Sequence, residues 1–156
     1  ARHVVDRQAL HLRDGLRHLH HGQCLYRLEK FRESAEIYRG LVAQHPNEPT
    51  LLLNLGLALI KARAFRKSIP PLAALVQQKP DNRKARGLLG MALAESGEYE
   101  EAREQFELGG FPNKRHELER RMADDRARGA PPTPSGRPTP TSRIGSNRSR
   151  RAASML

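Results

Sequence analysis

The feature that most constrains this chain is a spacing of 34 residues that recurs along its first two thirds. Two prolines 34 residues apart end similar sequence segments, AQHP at Pro46 and QQKP at Pro80. The same step aligns five columns of matching chemical type over three copies. They are Gly22, Gly56 and Gly90; Leu25, Leu59 and Leu93; Phe31, Phe65 and Tyr99; Ser34, Ser68 and Ala102; and Tyr38, Leu72 and Phe106. A fixed period of this length predicts a repeat architecture in which each unit packs on its neighbours.

Each unit contains two stretches with helical periodicity. Between Leu52 and Leu59 the apolar residues recur at i, i+3, i+4 and i+7, the spacing of one buried helix face. The glycine and serine–alanine columns carry little side chain, so we expect paired helices to approach closely there. Asn47 and Asp81 follow the closing prolines and are expected to cap the next helix. The predicted first helices are residues 15–28, 49–62 and 83–96, and the predicted second helices are residues 32–44, 66–78 and 99–108.

Three segments carry a resemblance to a known family. They read HHGQCLYRLEKFRESAEIYRGLVAQHP, LNLGLALIKARAFRKSIPPLAALVQQKP and LLGMALAESGEYEEAREQFELGG. Their Gly-x-x-Leu, small residue, aromatic or leucine, and closing proline resemble the tetratricopeptide repeat (TPR) family, a 34-residue helix–turn–helix. The resemblance covers about residues 15–110. It implies an all-α fold, a right-handed α-solenoid of three TPR helix–turn–helix repeats at residues 15–48, 49–82 and 83–113.

The chain departs from the family pattern at three places. Large apolar residues are usual in the family where His18 and His21 stand. Pro70-Pro71 is expected to weaken the first turn of the second helix in the second repeat. The third repeat closes with GGFP at residues 109–112 instead of a single proline, and terminal repeats are normally irregular.

Flanking helices and a tail surround the predicted repeats. Residues 1–14 are predicted to form an N-terminal capping helix that runs into or against the first repeat. Residues 114–128 are predicted to form a highly charged C-terminal capping helix, with Leu118 and Met122 as its narrow apolar stripe. Residues 129–156 are rich in Pro, Ser, Thr and Arg and are predicted to be a disordered basic tail.

The run LLLNLGLALI, residues 51–60, is apolar on more than one side. One face belongs to the packing pattern above, and the other carries Asn54 among leucines and an isoleucine. In the family the first helices line the concave side, so the resemblance places this other face in a groove. The alternatives are that residues 3–14 or a second copy of the chain cover this face. The predicted partner-binding groove consists of Leu19, Gln23, Tyr26, Leu53, Asn54, Leu57, Ile60, Lys84, Leu88 and Met91.

The occupant predicted for this groove is an apolar segment of another protein, extended or helical. Some family members hold a C-terminal carboxylate with Lys and Asn on neighbouring first helices. Only Asn54 and Lys84 match that arrangement here, so the sequence disfavours a carboxylate clamp. Short three-repeat members also act as bacterial secretion chaperones. The length of this chain resembles theirs, but its basic charge gives that alternative no support.

Residues capable of chemistry do not assemble into a recognisable motif. His18 and His21 share a helix face, but no acidic or cysteine partner completes a metal-ligand set, so both are predicted to be core histidines. Cys24 is predicted to be a small buried hydrophobe. Gly87 and Gly90 lie within a predicted helix and cannot form a phosphate loop. We therefore predict a non-enzymatic protein with no catalytic residue, metal, cofactor or small-molecule substrate.

Positive charge is concentrated at the C-terminal end. The formal net charge is +11, and residues 129–156 hold five arginines and no acid, against 23 basic and 17 acidic residues elsewhere. An alternative function is therefore binding of nucleic acid or another polyanion through the tail, although no aromatic residue is interleaved for base stacking. A solvated tail or a linker explains the same composition. The tail arginines are Arg137, Arg143, Arg148, Arg150 and Arg151.

The remaining composition predicts a cytoplasmic protein without a membrane span. A single cysteine excludes an internal disulfide and fits a reducing compartment. The ten-residue run at 51–60 is half of the roughly 20 residues that a spanning helix needs. The chain opens with no charged-then-apolar leader. A further alternative, that it is one domain of an enzyme or of a membrane-associated protein, stays open.

Overall fold

The computed structural model of the chain describes residues 7–129, so the predictions for residues 1–6 and for nearly all of the tail lie outside it. Within these residues the regular secondary structure consists of seven α-helices. The helices are α1 (Arg7–Arg27), α2 (Phe31–Gln44), α3 (Pro49–Lys61), α4 (Phe65–Gln78), α5 (Arg83–Glu95), α6 (Tyr99–Leu108) and α7 (Pro112–Ala127).

Consecutive helices pack against each other along the whole described chain, and α3 also contacts α5 directly. The first helices α1, α3 and α5 form one layer, while the second helices α2, α4 and α6 form the other. The pairs α1–α2, α3–α4 and α5–α6 are the three hairpins, and α7 packs beside α6. The predicted all-α solenoid of three repeats with a flanking C-terminal helix is confirmed.

The two helices of each hairpin meet where a glycine faces a bulky side chain. A Cβ atom added at Gly56 would lie 2.5 Å from Leu72 Cδ2, closer than van der Waals contact permits. The predicted close approach at the glycine column is therefore confirmed. The three contacting pairs are Gly22 with Tyr38, Gly56 with Leu72, and Gly90 with Phe106.

The serine–alanine column is fully buried, as its small size predicts. Ser34, Ser68 and Ala102 each have no exposed surface. The Ser34 hydroxyl donates to the carbonyl of Gly22 on the facing helix at 2.8 Å, and the Ser68 hydroxyl donates to the carbonyl of Phe65 at 2.6 Å. Because each buried hydroxyl has a partner, neither leaves an unsatisfied polar group in the core.

The turn inside each hairpin has the same backbone conformation. Glu29, Arg63 and Gly97 stand 34 residues apart, and all three have positive φ values of 58°, 59° and 87°. In each case the N–H of the following residue donates to a carbonyl five residues back, for example Ala64 N to Leu59 O at 2.8 Å. This is the Schellman arrangement that ends a helix with one left-handed residue. The sequence columns did not reveal it, because only one of the three positions is a glycine.

α1 runs without a break from Arg7 into the first repeat. The two predicted helix caps were wrong. α3 and α5 begin one residue later than Asn47 and Asp81 would require. The N-cap of α3 is Glu48, because a proline occupies its first helical position, and the N-cap of α5 is Asn82, whose side chain accepts from Ala85 N at 3.0 Å.

Pro70 and Pro71 lie inside α4 and do not interrupt it. Each lacks an N–H and deprives a carbonyl one turn earlier of its helical partner. Those carbonyls belong to Arg66 and Lys67, which are exposed, so water can hydrogen-bond to them. The predicted weakening of the first turn therefore leaves no break in the helix.

α7 covers the open side of the third hairpin. Leu118 is buried, and Met122 packs beside it against the core cluster of α5 and α6, as the predicted apolar stripe requires. Two polar contacts hold the outer turns: Arg121 Nη1 lies 2.9 Å from Glu95 Oε1, and the Tyr99 hydroxyl donates to Asp125 at 3.1 Å. The last hairpin therefore does not present a bare apolar side to solvent there.

A substitution at the central crossing tests this packing. Gly56→Ala places a methyl group against the fully buried Leu72, so we expect the free energy of unfolding to fall by about 1–3 kcal/mol. Gly40→Ala is the matched control, because Gly40 lies within α2 with no atom within 4 Å of the added Cβ. That control should raise stability by about 0.5–1 kcal/mol. Equal effects of the two substitutions in chemical denaturation would contradict the crossing.

A second prediction concerns the turn at Gly97. Gly97→Ala forces a Cβ atom into the left-handed region and should lower the free energy of unfolding by about 1–2 kcal/mol. Gly97→Asn should cost less, because asparagine tolerates this conformation better. Chemical denaturation of both variants distinguishes strain at this backbone angle from a general intolerance of side chains, which would rank asparagine as the worse substitution.

Candidate functional site

The first helices bring part of the predicted groove together between the first two hairpins. Gln23 and Tyr26 on α1 and Asn54 and Leu57 on α3 line one depression of about 230 Å³. Gln23 is exposed and the other three are half-buried. They share this depression because each pair lies three residues apart on its own helix, and the two helices lie in the same layer.

Two further residues line the depression and were missed by the sequence prediction. Arg27 ends α1, and Tyr38 reaches the depression from α2. Only 2% of Tyr38 is exposed, and burial, with a smaller contribution from neighbouring Tyr26, raises the pKa of its phenol above 10. The hydroxyl therefore stays neutral at physiological pH. The sequence offered one signal for Tyr38 as a lining residue. In the repeat column Tyr38, Leu72 and Phe106, only Tyr38 carries a hydroxyl group.

The other predicted groove residues lie outside the lining of this depression. Leu19 and Leu53 are half-buried, and each packs against a cluster of buried core residues. On α5, Leu88 and Met91 also pack against the core, while Lys84 is exposed in the first turn. Helix α5, the first helix of the third repeat, therefore contributes a neighbouring surface rather than part of the same depression.

Ile60 is not a groove residue. It is 9% exposed and belongs to the core cluster that includes Leu72, Leu89 and Leu93. The prediction treated the face of α3 opposite its hairpin partner as open. Because α5 packs directly on α3, part of that face is interior, and Ile60 lies on that part.

The depression combines hydrogen-bonding groups with apolar surface. The side-chain amides of Gln23 and Asn54 can donate and accept at its rim, and the guanidinium of Arg27 can donate. Leu57 and the ring of Tyr26 provide apolar contact. Amide groups suit the backbone of an extended segment, and apolar surface suits its side chains. Chemically, the arrangement fits peptide binding.

The histidines and the cysteine of α1 lie at the surface, contrary to prediction. His18, His21 and Cys24 are exposed. The His18 Nδ1 is 2.7 Å from the carbonyl of Asp14, one turn earlier in the helix. The prediction assumed that these columns are buried in every repeat. The equivalent positions of His21 and Cys24 in α3, Leu55 and Ala58, are buried, so the repeats differ in burial at these columns.

Two other kinds of site can be judged from the described part of the chain. Among the side chains of residues 13–129, no group of three or more His, Cys, Asp or Glu could hold a metal ion. No helix within residues 7–129 is long and apolar enough to cross a membrane. The predicted polyanion-binding arginines lie outside the described residues.

Comparison with solved structures shows the fold. The tetratricopeptide repeat domain of Sgt2 from Aspergillus fumigatus superimposes with a TM-score of 0.63 at 19% identity, covering 76% of this chain and 85% of that one. The first such domain of Spaghetti (RPAP3), bound to an HSP90 peptide, gives 0.63 at 19% identity over 70% and 93%. MamA from Desulfovibrio magneticus gives 0.62 at 19% identity over 69% and 66%.

Sequence comparison identifies the family. No curated protein sequence matches the chain. The tetratricopeptide repeat family model matches twice, over residues 19–83 and 53–113, which together cover more than half of the chain. The same residues contain the hairpins with their recurrent glycine crossings. This chain is a member of the tetratricopeptide repeat family.

Proposed function

We propose that this chain is a non-enzymatic, cytoplasmic adaptor that binds a segment of a partner protein across its first helices. The observation that carries the proposal is the depression between α1 and α3, lined by amides, phenols and a leucine from two successive repeats. A ligand seated there contacts both repeats at once. The solved domain of Spaghetti (RPAP3), a structural neighbour, was determined with a bound HSP90 peptide, which supports peptide binding as a use of this fold.

The proposed occupant is a short segment with apolar side chains. Leu57 and the ring of Tyr26 offer apolar contact in the depression, and Leu88 and Met91 extend half-buried apolar surface along α5. Gln23 and Asn54 can then hydrogen-bond to the backbone of the segment and set its register. A C-terminal carboxylate is not required by this arrangement.

Replacing an apolar side chain of the depression by a charged one tests the proposal. Leu57→Asp places a carboxylate where the apolar side chain is expected to dock, so partner binding should fall at least about tenfold. Affinity capture with the intact chain and with the variant, followed by mass spectrometry, should show partners recovered only by the former. Asn54→Ala is a second variant with a smaller expected loss of partner binding, because it removes only a hydrogen-bonding group from the depression.

Leu108→Asp is the matched control, because Leu108 is 59% exposed at the end of α6, outside the depression. It should recover the same partners as the intact chain. Circular dichroism melting of all variants identifies loss through unfolding. If the folded Leu57→Asp and Leu108→Asp proteins recover identical partners, the depression is not the binding site.

The arginines of residues 129–156 support a second candidate function, polyanion binding. Five arginines stand there without any acid, a composition suited to phosphate contacts. Five such contacts predict that log affinity for a single-stranded oligonucleotide falls with log salt with a slope of about −3.5. Replacing the five arginines by glutamine in the full chain should bring the slope close to zero. An unchanged slope would exclude the tail as the binding segment.

A further inference from the structure

A second pocket lies between the first two hairpins, away from the depression of the proposed function. It is formed by α2, the turn after α3 and the start of α4, and its volume is about 350 Å³. Alanines and Leu59 form its apolar lining. Its charged residues are four cations and one carboxylate: Arg32, Arg39, Arg63, Lys67 and Glu36.

Most of this positive charge is not neutralised by the protein. Arg39 Nη1 lies 3.1 Å from Glu36 Oε2, so the charges of these two side chains largely neutralise each other. In the part of the chain that the structure describes, Arg32, Arg63 and Lys67 form no ion pair. The guanidinium of Arg63 instead lies over the ring of Phe65, 5.7 Å from its centre. Three cations therefore remain around one concave surface of the folded protein.

The repeat provides an internal control showing that the fold does not need two of these cations, Arg63 and Lys67. The position of Lys67 is occupied by Glu33 one repeat earlier and by Glu101 one repeat later. The position of Arg63 is likewise Glu29 and Gly97, with the same left-handed backbone. At both positions the neighbouring repeats are acidic or uncharged, so the positive charge at these two positions is particular to the second repeat.

The placement of Lys67 is also unfavourable for the unliganded protein. It lies in the first turn of α4, where the helix dipole is positive, and that turn contains no acid. The equivalent helices place Glu33, Glu100 and Glu101 in their first turns, which is the favourable arrangement. An anion in the pocket would be attracted both by the cations and by the N-terminal end of α4.

We propose that this pocket binds a phosphate dianion, either free inorganic phosphate or the phosphomonoester on a protein side chain. A dianion with several acceptor oxygens can pair with several cationic side chains of one pocket at once, which a carboxylate does less well. Arginine contributes a fork of donors and Lys67 a point charge. The site is independent of the proposed groove, because the two share no lining residue.

NMR titration of the full chain at constant ionic strength tests the proposal. Sodium phosphate and O-phosphoserine are the probes, with dimethyl phosphate and acetate as monoanionic controls. We expect saturable shifts in the amides of Ala35, Ala62 and Ala64 with the two dianions and weaker shifts with the monoanions. Binding of both dianions indicates a phosphate carried on a side chain, and binding of inorganic phosphate alone indicates the free anion; either result supports the site.

Two charge reversals on adjacent residues separate the pocket from general basic charge. Lys67→Glu restores the residue type of the other repeats and should weaken phosphate binding at least about tenfold. Arg66→Glu makes the same charge change in the same turn, but Arg66 does not line the pocket, so it should weaken binding less than about threefold. Both variants should melt at or above the temperature of the unsubstituted chain, because each places an acid near the start of α4.

Specific results would overturn the proposal. Shifts that do not saturate, or that spread over all basic residues, would show only general charge attraction. Equal losses in the two variants, or undiminished binding by Lys67→Glu, would exclude the pocket. Binding of a single-stranded oligonucleotide through these residues, with no response to either dianion, would assign the surface to nucleic acid instead.

Discussion

A bulky side chain seated against a glycine sets the distance between the two helices of every hairpin. At the central crossing Leu72 occupies the space that a Cβ atom at Gly56 would need. The fully buried Ser68 and its equivalents allow the same approach from the second helix. Because the crossing recurs at the same place in each hairpin, successive hairpins have the same shape and can stack.

The turns show how much the choice of side chain can vary without changing the fold. One backbone conformation is adopted by Glu29, Arg63 and Gly97, although their side chains are negative, positive and absent. The turn needs a left-handed residue followed by a particular hydrogen bond, and neither requirement fixes charge. The differences in charge between these equivalent positions are therefore not required by the fold.

The period and its apolar columns were sufficient to predict the helices, the hairpins and the crossings, because these depend on contacts that every repeat makes. The errors in predicting burial fall where the repeats are not equivalent. The histidines and the cysteine of α1 are exposed, whereas the equivalent residues of α3, Leu52, Leu55 and Ala58, are buried. Ile60 is buried because α5 packs beyond α3.

The candidate sites were harder to predict than the fold for a related reason. The depression joins α1, α2 and α3, and the basic pocket joins α2, the turn after α3 and α4. Sequence periodicity describes one helix face at a time and cannot say which faces of different helices meet. Tyr38 illustrates the limit: its column predicted a packing role, and the structure adds that the same ring borders the depression.

The helix that covers the third hairpin has a consequence for assembly. A solenoid end without a cover can accept the opposite end of another copy, and such head-to-tail contacts do not close, so they grow into filaments. α7 places Leu118 inward, while charged side chains of both signs occupy most of its remaining surface. A copy approaching this end would have to desolvate those charges. The C-terminal helix therefore works against polymerisation from its own end of the array.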